Sequence, residues 1–500
     1  MPTPLRVNPI LRTDSYKLTH FRQYPPDTEI VYSYLESRGG FFDKALFCGP
    51  QYYLQAYLTG QVFTLTDVAG ARDFARAHFG NDFCFNHDGW LRLFQKHQGR
   101  LPLCIKALPE GSVVEAHNTL MTVENTDPEF PWLTNWAETL LLKIWYSTTV
   151  GTLSREIKQI IGRALERTGD PANLSFKLHD FGYRGVSSEE SAAIGGFAHL
   201  INFMGTDTLA AIELARQYYG NRLPDAEWKA AQETHSWVQG GFDPYMPAFA
   251  IPASEHSTMT SWGGPDHEVY AFANMLTQYP EGMVACVSDS YDIKNAVEKL
   301  WGGVLRDRVM GRKGTLVIRP DSGDPVTVLE EIFIALETRF GLDDKALGTK
   351  KGWKVLAPCV RVIQGDGVNY HTIQNMISQL TRKGWSMDNF GFGMGGALLQ
   401  QLNRDTLRFA LKCSAVRRSG QWQKVYKSPK TDMTKASKGG RFVVTNNGRN
   451  FITTEFDDKI TVTGNQLETV FLNGEVMKTY TLEDMRTRAA QYDDFKELTA

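Results

Sequence analysis

The sequence has few cysteines, and none of them stands close to another. The six cysteines among 500 residues form no CxxC motif; they are Cys48, Cys84, Cys104, Cys286, Cys359 and Cys413. The amino-terminal stretch contains no secretory hydrophobic segment. A chain without a disulfide framework or a secretion signal is typical of a reducing compartment, so we expect a cytoplasmic protein.

Long apolar runs and an excess of one charge are also missing. The most hydrophobic helical stretch, residues 132–161, is interrupted by Glu138, Lys143, Arg155 and Glu156. A membrane-spanning helix needs about 20 largely apolar residues, which this stretch does not provide. The net charge of −2 at pH 7 argues against a general nucleic-acid-binding protein. We therefore expect partners that are neither membranes nor nucleic acids.

No internal repeat or low-complexity tract is present, whereas apolar residues are plentiful. The chain is 42% hydrophobic and 22% charged, and its 500 residues exceed the usual size of one compact domain. The length therefore predicts two lobes. Residues 221–245, rich in charge and tryptophan, are predicted to be an insertion between regular elements.

One pattern recurs seven times between Leu174 and Gly396: a short apolar run ends abruptly in Gly, Asp, Ser, His or Arg. The runs are Leu174–Leu178, Ile201–Met204, Ala248–Ile251, Met283–Val287, Thr315–Ile318, Val360–Ile363 and Phe390–Phe392. They are continuous rather than alternating, which is typical of strands buried on both faces, and helical patterns fill most of the gaps. Residues 173–403 are therefore predicted to form an irregular α/β barrel of about seven parallel strands. The functional site is expected at the carboxyl ends of these strands.

The flanking segments are β-rich. Beyond Arg404, apolar and polar residues alternate, and Asn447-Gly448 and Asn473-Gly474 are candidate hairpin turns. The segment Glu29–Glu36 alternates likewise. We expect residues 1–172, with their helices, and residues 404–500 to form one β-rich second lobe together.

Acidic residues and one histidine follow the predicted strands. Carboxylates in this position bind Mg²⁺, often through water, accept hydrogen bonds from sugar hydroxyls, or cap a helix. For Asp292 we favour capping; for Asp321 and Asp366, which lie among Gly and Ser, we favour contact with a ligand. His256 could be a general base, a metal ligand or a nucleophile. Metal binding is disfavoured because no second His or Cys stands at ligand spacing.

The glycine-rich segment Gly393–Gly396 is the best candidate for phosphate binding. Without Cβ atoms, its backbone N–H groups can face an anion at the start of a following helix, although glycine clusters mark tight turns about as often. Between Arg404 and Arg441, eleven Lys or Arg residues stand against two acidic residues. A solvated basic face and a site for a polyanionic small molecule both fit this run, and the preceding glycines favour the second.

Eight motifs stand in a fixed order along the chain. They are Thr13–Lys17 (TDSYK), His179–Ser188 (HDFGYRGVSS), Gly205–Thr208 (GTDT), Glu255–Thr258 (EHST), Ser288–Asp292 (SDSYD), Arg319–Gly323 (RPDSG), Gln364–Gly367 (QGDG) and Gly393–Gly396 followed by Arg404-Asp405. In order and spacing they resemble the nicotinamide phosphoribosyltransferase family of type II phosphoribosyltransferases, in its bacterial form. The resemblance implies a pentosyltransferase of NAD salvage that makes nicotinamide mononucleotide and pyrophosphate from nicotinamide and phosphoribosyl pyrophosphate. It also implies a homodimer with shared active sites.

Other functions remain open. Nicotinate phosphoribosyltransferase is the alternative, and a non-catalytic binding protein or a metal-dependent barrel hydrolase is less favoured. An acidic residue beside the base would repel the carboxylate of nicotinate, so Asp207 favours the amide substrate.

The resemblance also implies how the base is held. The nicotinamide ring would lie between Phe181 and Tyr16, the latter reaching in from the partner subunit. Asp207 would accept hydrogen bonds from the amide N–H₂ group, and Arg319 would donate to the amide carbonyl.

The phosphoribosyl donor would be bound by a larger set of residues. By resemblance they are Arg184, Asp321, Asp366, Gly395, Gly396, Arg404, Lys412, Lys427, Lys435 and Arg38. In this set the acidic residues would face the ribose, whereas the glycines and Arg404 would hold the 5′-phosphate. The remaining cations would hold the pyrophosphate together with Mg²⁺, which is expected to be bound through the diphosphate and water rather than by the protein directly.

His256 resembles the histidine that ATP phosphorylates in this family, and ATP is therefore an implied co-substrate. Phosphorylation of this histidine couples ATP hydrolysis to tighter substrate binding. Asp289 would hydrogen-bond the imidazole and fix its tautomer. The implied catalytic residues are thus His256, Asp289 and Asp321.

Overall fold

The computed structural model describes residues 7–220, 246–343, 352–431, 436–448, 450–456 and 463–495. The chain divides into two compact units. The first comprises residues 1–152, 217–220 and 403–489, and the second residues 153–216, 221–402 and 490–500. We expected the lobes to divide at residues 172 and 403. The second unit instead begins at residue 153, inside a long helix, and also includes residues 490–500. The predicted insertion at 221–245 lies outside the described residues.

The strands, in chain order, are β1 (Thr28–Glu36), β2 (Lys44–Leu46), β3 (Leu103–Ala107), β4 (Val113–Glu115), β5 (Thr119–Asn125), β6 (Leu178–Asp180), β7 (Gly205–Thr206), β8 (Glu281–Val287), β9 (Lys313–Arg319), β10 (Val360–Gln364), β11 (Phe390–Met394), β12 (Ala410–Arg418), β13 (Gln421–Lys424), β14 (Phe442–Asn446), β15 (Phe451–Glu455), β16 (Glu468–Leu472) and β17 (Glu475–Val476). The α-helices are α1 (Pro50–Tyr53), α2 (Leu65–Phe79), α3 (His87–His97), α4 (Trp132–Leu142), α5 (Ile144–Thr168), α6 (Glu189–Leu200), α7 (Leu209–Tyr219), α8 (His256–Thr260), α9 (Glu268–Gln278), α10 (Ile293–Asn295), α11 (Arg306–Gly311), α12 (Pro325–Phe340), α13 (Tyr370–Arg382), α14 (Gly396–Leu399) and α15 (Leu482–Ala490). Two of them, α1 and α10, continue as π-helices over Leu54–Leu58 and Ala296–Val304. No helix among these described segments is long and apolar enough to cross a membrane.

The first unit is built on a seven-stranded sheet that uses both ends of the chain. Its strand order is β13-β12-β1-β5-β3-β16-β17, and the neighbouring strands run antiparallel. The predicted turn at Asn473-Gly474 joins β16 to β17, and both residues have the positive φ that a tight hairpin turn requires. The expectation of one β-rich lobe formed by both flanking segments is confirmed.

The second unit contains the predicted barrel. Six parallel strands follow the order β7-β6-β11-β10-β9-β8. The two edges are joined by one segment, in which Phe249 pairs with Gly205 of β7 and Ala253 pairs with Ala285 of β8. This segment forms single bridges rather than the strand predicted over Ala248–Ile251, because the intervening Pro252 has no N–H group to donate.

Two other strands begin later than predicted. Residues 171–176 form a 3₁₀ helix, so β6 starts at Leu178 rather than at Leu174. The apolar run Ile201–Met204 completes the carboxyl end of α6, where the N–H groups of Asn202 and Phe203 donate to the carbonyl of His199. Burial alone cannot distinguish a short buried strand from a buried helix end, which explains both shifts.

The barrel interior is apolar below its rim. Ala285, Val317 and Ile363 form a buried cluster, against which Phe181 and Ile251 pack. Because successive residues of a strand point to opposite faces, Arg319 lies on the same inward face as Val317, two residues nearer the carboxyl end. The rim thus carries charge directly above an apolar layer.

A buried lysine ties β6 to the segment before β11. Lys177 Nζ donates to the carbonyl oxygens of Met387, Asp388 and Phe390 at 2.9, 3.1 and 2.9 Å. Burial lowers the pKa of Lys177 to about 7. Three acceptors match the three N–H bonds of an ammonium group, so removal of the side chain would leave buried carbonyls unpaired.

We expect Lys177→Met to lower the free energy of unfolding by about 3 kcal/mol, the cost of leaving buried polar groups unpaired. Urea denaturation measures this loss. The matched control is Lys313→Met, which removes only an exposed pairing with Glu281 and should cost less than about 1 kcal/mol. Equal losses in the two variants would contradict the assigned role of Lys177.

Candidate active site

The barrel rim brings His256, Asp289 and Asp321 together. His256 is the first residue of α8; its Nε2 lies 3.0 Å from Oδ1 of Asp289, and its Nδ1 lies 4.0 Å from Oδ2 of Asp321. The imidazole is 46% exposed, whereas the Asp289 side chain is only 5% exposed. An accessible imidazole held through one nitrogen by a buried carboxylate can act as a nucleophile through the other nitrogen.

The second oxygen of Asp289 anchors the loop after β9. Its Oδ2 accepts hydrogen bonds from the N–H of Asp321 at 2.9 Å and from Oγ of Ser322 at 2.5 Å. Burial acts to raise the pKa of Asp289, but these two donors and His256 together hold the pKa below its usual value. Asp289 therefore stays ionised and orients both His256 and Asp321.

Arg319 joins this carboxylate cluster to the interior of the barrel. Its Nη2 donates to both carboxylate oxygens of Asp321, at 3.1 and 3.0 Å. Its Nε is buried and has no acceptor among the described residues. A Cβ atom at Gly365 would lie 3.0 Å from this Nε, so glycine permits the close approach of the loop after β10.

An aromatic ring and a carboxylate complete this part of the rim. The ring of Phe181 lies 5.7 Å from Cζ of Arg319 and covers Gly393, where a Cβ atom would come within 1.9 Å of the ring. Asp207 retains access to solvent. Partial burial raises the pKa of its carboxyl group, whereas the positive charge of Arg319 acts to lower this pKa. Arg319 thus lies beside Phe181, and the N–H of Asp207 bonds to the carbonyl of Asp180, the residue before Phe181.

The glycine loop after β11 lies beside the loop that carries Arg184. A Cβ atom at Gly185 would be 3.3 Å from the backbone nitrogen of Gly396, so the two loops approach through glycine. The helix that begins at Gly396 is one turn long, shorter than the predicted helix over 397–402. Its macrodipole is correspondingly small, and an anion here would depend on individual N–H groups.

Asp366 follows β10 and is exposed. Its backbone oxygen accepts a hydrogen bond from Nε2 of Gln364 at 2.8 Å, and the Oε1 atom of Gln364 is buried without a donor among the described residues. The side chain of Asp292 accepts from the N–H groups of Lys294 and Asn295, which is the capping role predicted for it.

The remaining predicted residues belong to the first unit. Burial lowers the pKa of Lys412; the negative charge of Glu138 opposes this, whereas the positive charges of Arg38 and Arg404 lower the pKa further. Arg38 also pairs with the buried Glu36 at 2.7 Å. The first unit therefore contains several cations that act on Lys412; binding of a phosphorylated ligand by them stays a prediction.

Tyr16 and the two later lysines differ in their surroundings. Tyr16 is 57% exposed and meets the ring of His20 edge-on at 4.9 Å between centroids. Lys427 is exposed. Lys435 lies outside the described residues. In the part of the chain that the structure describes, no group of three or more His, Cys, Asp or Glu residues is arranged to hold a metal ion.

Two rim residues were missed at the sequence level. Asp180 stands inside the HDFGYRG motif beside Phe181, and Gln364 is the first residue of QGDG. Both side chains are buried, at 0% and 1% exposure. A polar residue at the end of an otherwise apolar run was the available signal.

Matches to known families identify the chain as a phosphoribosyltransferase. The profile of the nicotinate phosphoribosyltransferase (NAPRTase) family matches residues 176–475, and that of the nicotinamide phosphoribosyltransferase N-terminal domain matches residues 8–105. The chain belongs to the nicotinamide phosphoribosyltransferase family.

Individual relatives agree with this assignment. The chain is 45% identical over 491 residues to the nicotinamide phosphoribosyltransferase of Xanthomonas campestris pv. campestris, covering 96% of this chain and 98% of the relative. It is 32% identical over 524 residues to that of Acinetobacter baylyi, covering 98% and 99%.

Solved structures share the fold. The nicotinate-nucleotide pyrophosphorylase of Pyrococcus furiosus superposes with a TM-score of 0.59 at 13% identity, covering 99% of this chain and 98% of that one. Human nicotinic acid phosphoribosyltransferase superposes with a TM-score of 0.54 at 16% identity, covering 96% and 93%.

Proposed function

We propose that the protein transfers the phosphoribosyl group of phosphoribosyl pyrophosphate to nicotinamide, giving nicotinamide mononucleotide and pyrophosphate in NAD salvage. The observation that carries the proposal is the grouping of Phe181, Asp207 and Arg319 at the barrel rim. A flat ring that carries an amide is bound by an aromatic surface, a hydrogen-bond acceptor for its N–H₂ group and a donor for its carbonyl. These three side chains supply those groups.

The unpaired atom of Arg319 supports this assignment. Its Nη2 is committed to Asp321, while its buried Nε has no acceptor among the described residues. A buried donor without a partner costs free energy that a bound carbonyl oxygen would recover. Asp207 would accept from the amide N–H₂ on the other side, and Tyr16 of a second subunit would cover the second face of the ring.

Nicotinate is the second candidate substrate. Its carboxylate has no donor for Asp207 to accept from and would be repelled by it. The elevated pKa of Asp207 softens this repulsion at low pH. We therefore propose that amide selectivity is greatest above the pKa of Asp207, where its carboxyl group is ionised.

The phosphoribosyl donor would be bound by the predicted glycines, carboxylates and cations. We assign the ribose to Asp321 and Asp366 and the 5′-phosphate to Gly395, Gly396 and Arg404. Arg184, Arg38, Lys412, Lys427 and Lys435 are assigned to the pyrophosphate.

Magnesium would assist the departure of pyrophosphate. Both oxygens of Asp321 already accept from Arg319, so this carboxylate suits ribose contact better than direct metal coordination. These residues therefore suit Mg²⁺ that would be bound by diphosphate oxygens and water. There the ion would neutralise negative charge on the pyrophosphate leaving group. The protein contributes position and electrostatic stabilisation as positive charge develops on the sugar.

ATP would act by phosphorylating His256. The free Nδ1 attacks the γ-phosphorus of ATP, the bond to the bridging oxygen breaks, and ADP leaves; water later cleaves the phosphohistidine. Asp289 holds Nε2 and stabilises the positive charge that phosphorylation creates on the ring. We further propose a homodimer with shared sites and a cytoplasmic location.

The test supplies phosphoribosyl pyrophosphate, Mg²⁺ and ATP with either nicotinamide or nicotinate, and chromatography measures the mononucleotide formed. We expect nicotinamide to be the better substrate. Equal or faster turnover of nicotinate would overturn the amide assignment in favour of the second candidate.

Asp207→Asn should lose most of the preference for the amide. Asparagine keeps the shape but removes the negative charge, so nicotinate is no longer repelled, and we expect the ratio of kcat/KM values for the two bases to fall by about tenfold or more. The control is Asp292→Asn, which alters a helix cap on the same rim. Retained selectivity in Asp207→Asn would argue against the proposed contact.

A further inference from the structure

We infer that Asp180 is a positioning residue for base binding, holding the segments that present Phe181 and Asp207 in one fixed relation. This inference rests on the proposed function of those two residues. Asp180 is the last residue of β6, and its side chain has no contact with solvent.

The carboxylate of Asp180 fixes the turn that follows Phe181. Its Oδ1 accepts a hydrogen bond from the N–H of Gly182 at 2.7 Å. A Cβ atom at Gly182 would lie 2.6 Å from the side chain of Leu399 and 3.0 Å from this Oδ1, so the turn is tightly enclosed. Loss of Oδ1 would free the segment that carries Phe181.

The main chain of Asp180 fixes the neighbouring loop. Its carbonyl oxygen accepts a hydrogen bond from the N–H of Asp207 at 2.9 Å, and Asp180 is paired in register with Thr206. The next residue, Phe181, donates its N–H to the carbonyl of Met394 at 3.0 Å. Asp180 and Phe181 together therefore connect the segment of the aromatic ring to the loop of Asp207 and to the end of β11.

The Asp180 carboxylate is buried in a tightly packed place, which costs free energy of folding. A Cβ atom at Gly196 of α6 would lie 3.0 Å from Oδ2 of Asp180, so glycine at this position leaves room for the carboxylate. Burial raises the pKa of Asp180 to about 6, and the N–H of Gly182 and the hydroxyls of Thr208 and Thr206 only partly oppose this rise. A buried acid that weakens the fold is expected where function requires it.

Asparagine and alanine separate positioning from general stability. Asp180→Asn retains an oxygen for Gly182 and removes the buried charge, whereas Asp180→Ala removes the acceptor. The control is Asp493→Ala, which deletes another buried carboxylate of the same unit, bonded to Lys158 and Gln159. The control should destabilise the protein without reaching the base site.

Titration calorimetry with nicotinamide and steady-state kinetics are run on the full-length wild type and the three variants. For Asp180→Ala we expect the dissociation constant and KM for nicotinamide to rise about tenfold or more, with KM for phosphoribosyl pyrophosphate changed less than about twofold. Asp180→Asn should stay within about threefold of the wild type. Its thermal unfolding midpoint should rise at pH 8.

An equal loss of nicotinamide binding in Asp180→Ala and Asp493→Ala would overturn the inference, as would equal impairment of Asp180→Asn and Asp180→Ala. The proposed function fails separately, if the wild type binds nicotinamide but forms no mononucleotide. Calorimetry still tests the positioning role in that case. A wild type that does not bind nicotinamide would overturn both.

Discussion

Gly393→Ala should lower kcat/KM for nicotinamide by about a hundredfold or more, because the aromatic wall of the base site cannot stay in place. The new Cβ atom would lie 1.9 Å from the ring of Phe181, far inside van der Waals contact. Either the ring or β11 must move, and both carry parts of the proposed site. Overpacking should also cost about 1–3 kcal/mol of stability.

The same strand offers a matched control. Gly391 lies two residues earlier on the same face, and a Cβ atom there would come no closer than 3.5 Å to the carbonyl of Lys177, an ordinary contact. Gly391→Ala should therefore keep nearly full activity. Steady-state kinetics at varied nicotinamide, with thermal unfolding of both variants, measures the difference. Normal nicotinamide kinetics in Gly393→Ala would remove Phe181 from the proposed base site.

His256→Ala should abolish ATP hydrolysis while leaving weak synthesis that does not depend on ATP. The displacement at the sugar needs no protein nucleophile, because the protein only positions the reactants and stabilises the leaving group. In the proposed mechanism, by contrast, coupling to ATP proceeds through a phosphorylated side chain, and the accessible imidazole paired with Asp289 is the proposed acceptor.

Two measurements check this prediction. Release of phosphate from ATP follows the hydrolysis, and acid-labile protein-bound label from γ-labelled ATP reports phosphohistidine. His267→Ala is the control, since that histidine is also exposed but has no carboxylate partner among those found in the described residues. Asp289→Asn should reduce labelling without abolishing it. Undiminished ATP hydrolysis in His256→Ala would rule out the phosphohistidine.

Two apolar runs show how well strands and their boundaries can be predicted from the sequence. The run Met283–Val287 ends in Ser288 and Asp289, and the observed strand spans the same run with two further residues at its start. The run Ile201–Met204 looks equally strand-like yet ends a helix, because its neighbours in space, not its own residues, decide which hydrogen bonds it makes. Boundaries were therefore the weaker part of the prediction.

The identity of the rim residues was available from the sequence, because the chemistry of a parallel barrel is confined to the residues just past each strand. The ordered motifs further indicated the family. Local composition therefore determined the barrel, the β-rich flanks and the residues that could meet at the mouth.

Only the tertiary structure decided which of these residues touch. It placed Nε2 of His256 beside Oδ1 of Asp289, brought Oδ2 of Asp289 to the N–H of Asp321, and joined the carbonyl of Asp180 to the N–H of Asp207. These contacts join residues far apart in the chain. Their distances depend on how the strands twist and close, which no single segment encodes.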